Sequence, residues 1–173
     1  MKTLIIMVGL PASGKTTFRD KIVGATVVCP DDHIPYTKEN PWTFHISKQA
    51  WKTADKELQE ACKNGDERVV FDATMLTPKK RRKYIQLAKQ NNYEAVAVYC
   101  ATPEDICRQR NDTRDTYRKV PESIIDDMSK RLVPPDVEEG FSAIVRIIED
   151  GINPKREITG KYKLEELNGK EDN

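Results

Sequence analysis

The chain has 173 residues, 38% hydrophobic and 33% charged, a balance that supports one packed domain and excludes wholesale disorder. Lys and Arg number 29 against 28 Asp and Glu, so the formal charge of +1 excludes a global basic field and confines any nucleic-acid contact to local groups. The longest apolar stretch, Leu4 to Leu10, is too short to span a bilayer or to serve as a secretion signal, which argues against a membrane partner and makes a cytoplasmic location the expectation.

Residues 4–8 form a β-rich run that is apolar at successive positions, as expected of a strand buried on both faces of a parallel sheet. A helix is expected over 16–23, directly after it. Residues 26–29 repeat the strand signature. The segment 47–63 reads as a helix carrying Trp51, Leu58 and Cys62 with charges at i,i+4 spacing. Strands follow at 68–71 and 95–100, separated by a helix over 78–90 that opens with proline at its first position. Helices over 103–110, after Thr102 as N-cap, and over 121–132 precede a fifth candidate strand at 143–148. Strands alternating with helices at these lengths specify βα units on a parallel sheet, with active groups at the carboxyl ends of the strands.

The composition places an α/β domain over residues 1–150 and a charged tail over 151–173. The tail, poor in apolar residues from 153 onward, reads either as a mobile or partner-facing segment or as a last helical turn docked by Leu164 and Leu167. Cys29, Cys62, Cys100 and Cys107 form no C-x-x-C pair and sit mostly in or beside apolar segments, so reduced structural thiols are expected.

Residues 9–16, Gly-Leu-Pro-Ala-Ser-Gly-Lys-Thr, satisfy G-x-x-x-x-G-K-[ST] between an apolar strand and a helix, the context that makes this pattern a phosphate-binding loop. Gly9, Pro11, Ala12, Ser13, Gly14 and Thr17 are the expected ATP cradle, with Lys15 on the β/γ phosphates and the Thr16 hydroxyl on Mg2+. After the second strand, Cys29-Pro30-Asp31-Asp32-His33 sets two carboxylates at the same edge of the sheet. A hydroxyl attacking a γ-phosphorus must lose a proton, and Asp31 is the preferred acceptor, with Asp32 as acceptor-site neighbour; N-capping is the bland use of either. His33 and His45 have no metal or dyad spacing and read as surface residues.

The third strand ends in Asp72, placed to hold a water on Mg2+ or to orient the acceptor, and Thr74 follows. Lys79 to Lys83 then put five cations at a helix start, where the macrodipole disfavours them. Arg81 and Arg82 are therefore candidates for the acceptor's phosphates, against a solvated helix face as the alternative. Arg108, Arg110, Arg114, Arg118 and Lys119 crowd a polar stretch that reads as a lid, with Arg110 and Arg114 on one helical face.

These residues resemble the kinase module of the 5′-hydroxyl polynucleotide kinases of phage and mammals, a branch of the P-loop kinase superfamily, from Lys2 to about Ile148. The phosphate loop, the Asp31-Asp32 pair, Asp72-Ala73-Thr74 with Pro78 and Arg81-Arg82, and Arg110-Asn111-x-x-Arg114 with Val120-Pro121 carry the likeness, in family order. Pro134-Pro135 and Glu139-Gly140-Phe141 look like the end of the mammalian module. The resemblance implies ATP and Mg2+ on Lys15 and Thr16, Asp31 as general base, Asp72 as support, and Arg114 on the transition state with Arg110 beside it. The chain departs from the phage members at Cys29-Pro30, where they carry Asn-Arg, and at Ile34, where they carry an arginine for the acceptor phosphate. The expected activity is transfer of the ATP γ-phosphate to a 5′-hydroxyl end of DNA or RNA. A small-molecule hydroxyl kinase and an ATP-dependent switch are the alternatives.

Overall fold

A computed structural model describes residues 1–35, 44–148 and 155–161 of the chain. In order, the elements are β1 (Thr3–Val8), α1 (Lys15–Arg19), β2 (Thr26–Val28), α2 (Phe44–Asn64), β3 (Arg68–Phe71), α3 (Pro78–Gln90), β4 (Glu94–Cys100), α4 (Glu104–Asp112), α5 (Glu122–Arg131), β5 (Ala143–Ile148) and β6 (Lys155–Gly160), with single 3₁₀ turns at Pro30–His33 and Val137–Glu139. They form a six-stranded sheet in the order β2-β3-β1-β4-β5-β6, parallel except for β6.

The continuous apolar character of β1 has a direct cause. Leu4, Ile6 and Val8 pack with Val69, Phe71, Leu58 and Tyr84 on one face, while Ile5 and Met7 pack with Val70, Val96 and Val145 on the other. Neither face meets water, so no polar alternation survives. Because the chain crosses from β1 to the edge strand β2 and later returns past β1 to β4, the carboxyl ends of β1, β2 and β3 open into one crevice.

Two expectations change here. Residues 155–160, read as part of a tail, pair antiparallel with β5 from Ile148↔Lys155 to Ala143↔Gly160. Ile158 alone of this strand packs on the core, so the segment carries no periodic apolar signal. Leu164 and Leu167 lie outside the described residues. At α4 the N-cap is Pro103 rather than Thr102, whose hydroxyl instead donates to the Ser13 carbonyl at 2.8 Å and ties the phosphate loop to the end of β4. All four cysteines are buried, and none is in a disulfide. Among the described residues no helix is long and apolar enough to cross a membrane.

Candidate active site

The loop after β1 takes its shape from glycine. Gly9 has φ +149°, and a Cβ there would meet Ser13 Oγ at 2.6 Å and the Cys100 carbonyl at 2.9 Å, so a side chain would close the loop onto β4. Ala12 at φ +62° and Gly14 at φ +91° continue the left-handed turns that curl the backbone ahead of α1. The Lys15 ammonium folds back onto this curl, donating to the carbonyls of Gly9 at 3.1 Å and Leu10 at 2.7 Å. Burial pushes it below the ordinary lysine range, with the nearby Asp72 carboxylate opposing the shift.

Ser13 Oγ is buried and has no hydrogen-bond partner among the described residues. Buried hydroxyls are rarely left so, and a loop offering an unmet hydroxyl beside a retracted lysine fits a bound phosphate. The Thr16 hydroxyl donates to Asp72 Oδ2 at 3.1 Å. Two hard oxygen donors side by side fit Mg2+, which takes its remaining ligands from water and nucleotide phosphates. Asp72 is 4% exposed, and burial draws its carboxyl above the usual carboxylate range while Lys15 and Arg19 pull it back. Arg19 reaches it from α1 at 3.2 Å.

A cavity of about 440 Å³ joins these groups, within the range of about 300–1,000 Å³ usual for small-molecule sites. The phosphate loop from Pro11 to Thr17 forms its floor, with Asp31, Asp72 and Thr74 along the ends of β2 and β3. Arg110 and Arg114 lie on another wall. Helix α4 ends before Arg114, whose amide bonds back to the Asn111 carbonyl at 3.2 Å, so the two arginines share the cavity without sharing a helix. Asp32 is exposed and lies outside the lining. At the wall beside Asp31, the Cys29 thiol is held protonated, pushed up to about 12 by burial and then by Asp72 and Asp31. His33 pairs with Glu57 at 2.8 Å on the surface.

The acceptor reading of Arg81 is corrected by its surroundings. Its side chain is 0% exposed and forks onto Glu139 at 2.8 and 2.5 Å, with further bonds to the carbonyls of Met75 and Val133 at 2.9 Å and Pro134 at 3.4 Å. No donor remains for an acceptor. Arg82 is exposed on α3, away from the cavity lining. Arg108 also leaves the lid: it pairs with Glu104 and Asp126 and clamps α4 to α5.

Sequence reasoning gave no site role to the lining residues Ser47, Trp51 and Met128, and quoted Cys29, Pro30, Ala73 and Val120 only within motifs and Arg118 only within a cation cluster. Ser47 and Trp51 stand one helical turn apart on α2, a spacing visible in the sequence. Nothing in the sequence showed that this face of α2 turns to the phosphate loop rather than wholly into the core.

A phosphate loop at the end of the central strand, a carboxylate beside its threonine and arginines across the cavity define a P-loop domain with the α/β fold of P-loop NTPase kinase structures. Residues 4–135 match the family described as an AAA domain, and the chain belongs to that family. Solved structures of similar fold include a sugar kinase from Janibacter sp. HTCC2649, 14% identical over 86% of each chain with a TM-score of 0.60. Another is Kti12 of Chaetomium thermophilum in complex with ADP-AlF3, 16% identical with a TM-score of 0.62, over 85% of this chain and 89% of that one. The Pnkp1/Rnl/Hen1 RNA repair complex contains a third, 20% identical with a TM-score of 0.63, over 76% of this chain but 44% of that one. No curated protein matches the chain.

Proposed function

We propose that the chain transfers the γ-phosphoryl group of ATP to an alcohol, and that the alcohol is a 5′-hydroxyl end of DNA or RNA. The observation that carries the reading is the placement of Asp31 on the same cavity as Lys15, Thr16, Asp72 and Arg114. Asp31 accepts the hydroxyl proton as the acceptor oxygen bonds to the γ-phosphorus, and the bond from phosphorus to the β–γ bridging oxygen breaks to release ADP. Lys15 leaves the two loop carbonyls for the β/γ phosphates, and Ser13 Oγ gains a partner. Thr16 and Asp72 would hold Mg2+, which when bound neutralises charge on the phosphate oxygens. Arg114, with Arg110, stabilises the charge spread over the transferring group. The likeness to part of an RNA repair complex and the order of the motifs support the nucleic-acid acceptor.

A second reading, a small-molecule hydroxyl kinase, is favoured by the fold likeness to a sugar kinase over 86% of both chains and by the formal charge of +1. Transfer from γ-labelled ATP to a panel of 5′-hydroxyl DNA, RNA, nucleosides and sugars separates the two. The expected result is label on the polynucleotide ends, with transfer by Asp31→Asn slower by roughly 10²–10⁴-fold, little changed ATP affinity and a milder defect in Asp32→Asn. Label on the sugars alone would favour the second reading.

A further inference from the structure

We infer that Asn111 is a positioning residue for phosphoryl transfer: its buried amide clips Val120 to the end of α4 and so holds the loop 112–119, with Arg114 and Arg118, against the cavity. The inference rests on the phosphotransferase reading above for the role of those arginines. The geometry of the clip stands apart from it.

Asn111 is 1% exposed, at the last turn of α4. Its Nδ2 donates to the Val120 carbonyl at 2.9 Å, and its Oδ1 accepts from the Val120 amide at 3.0 Å. A donor and an acceptor side by side reproduce one rung of a β-ladder to a single residue, which only an amide side chain offers. Val120 itself lines the cavity, and Pro121 after it caps α5. One side chain therefore closes both ends of the loop.

Among the described residues the other backbone bonds of the loop are local. The Arg114 amide returns to the Asn111 carbonyl at 3.2 Å, the amides of Arg118 and Lys119 turn onto the Asp115 carbonyl at 2.8 and 3.0 Å, and Lys119 Nζ meets Asp112 at 2.6 Å. None of these crosses to the helix on the far side of the loop. The docking of α5 on α4, by contrast, has its own bonds in Arg108 with Asp126 and in Ser129 with Glu104. Loss of the clip removes the pair of bonds that closes the loop onto α4, while the helices keep their own. An arginine misplaced by an ångström costs rate far more than it costs fold.

The test uses the full chain with Asn111→Ala and Asn111→Asp, the second keeping the shape and the acceptor but losing the donor. Four quantities are read: single-turnover transfer, ATP affinity, thermal midpoint, and the rate of tryptic cleavage within 112–119. The expected result is a fall in transfer of roughly 10²-fold with ATP affinity within about threefold. Cleavage within the loop accelerates while cleavage elsewhere does not. In an Arg114→Ala, Arg118→Ala background, adding Asn111→Ala slows transfer by no more than about threefold, because the residue acts through those arginines. Wild-type transfer in both variants, unchanged loop cleavage, or an undiminished loss in the arginine-free background would each overturn the inference. Failure of the unsubstituted chain to label any alcohol overturns the phosphotransferase reading instead, so the two failures are distinct.

Discussion

At the head of α3 the Arg81 guanidinium lies under protein, spent on Glu139 and three carbonyls, whereas across the crevice Arg110, Arg114 and Arg118 line a cavity. Both sets come from cation-rich stretches of similar density. The difference is what surrounds the guanidinium. A fully buried fork whose donors are all taken joins α3, the exit of β3 and the segment after α5, and its charge is compensated by one carboxylate placed for it. Arginines on a clipped loop facing a cavity carry positive charge where a polyphosphate can receive it. One arginine organises the fold, and the others line the cavity.

The comparison breaks most visibly at Arg81. Arg81→Ala leaves the largely covered Glu139 carboxylate with the Asp136 amide but without its cation, and opens a gap where a fully buried guanidinium stood; it should cost about 3–5 kcal/mol of unfolding free energy, a large share of a domain's stability. Arg81→Lys should recover only part, since a point charge cannot bridge a carboxylate and carbonyls together. Urea denaturation of both measures this, and a loss under about 1 kcal/mol would show that the buried fork is dispensable.

Arg114 should behave oppositely. Arg114→Ala should slow single-turnover transfer about 10³-fold while unfolding free energy stays within about 0.5 kcal/mol of wild type. Arg114→Lys should fail nearly as badly, with ATP affinity little changed. A variant that transfers at the wild-type rate removes Arg114 from the chemistry.

The smallest effect belongs to Lys80, next to Arg81 on the same helix. Its ammonium lies 3.4 Å from the Trp51 ring centre. Burial, then repulsion from Arg131, pulls it down to about 8, with Asp55 opposing and Lys83 adding to the repulsion. Below pH 8 the folded chain bears the cost of a half-buried charge. Between pH 8 and roughly 10.4 the unfolded chain binds the proton that the folded chain has lost, so stability rises with pH across that window. Lys80→Met should thus raise the thermal midpoint slightly at pH 7, and the gain should shrink as pH rises through the window. A gain that grows with pH would reverse the sign and show that the cation–π contact outweighs the burial of the charge.

Much of the fold was legible because its signals are local. Residues 4–8, 68–71 and 143–148 are apolar at nearly every position since both faces of the sheet are covered, and the loop from Gly9 to Thr16 is written in backbone requirements that only glycine meets. The strand at Lys155–Gly160 escaped because an edge strand with one packed residue needs no pattern of its own, only the open edge of β5. Thr102 was misread because capping and loop-tying call for the same hydroxyl, and the nearest acceptor in space belonged to Ser13.

The sequence by itself determined the parallel α/β architecture, the phosphate loop and the order in which carboxylates and arginines arrive at one edge of the sheet. Tertiary structure alone decided which charges are consumed by the fold and which face the cavity. Arg81 and Arg114 look alike in the chain because a charge pattern records how many cations are present. Whether a carboxylate such as Glu139, 58 residues away, closes over one of them depends on packing between distant segments. The same holds for Trp51, whose helical face is apolar in either case, and for the Asn111 clip, whose partner Val120 is fixed by the path of the loop between two docked helices.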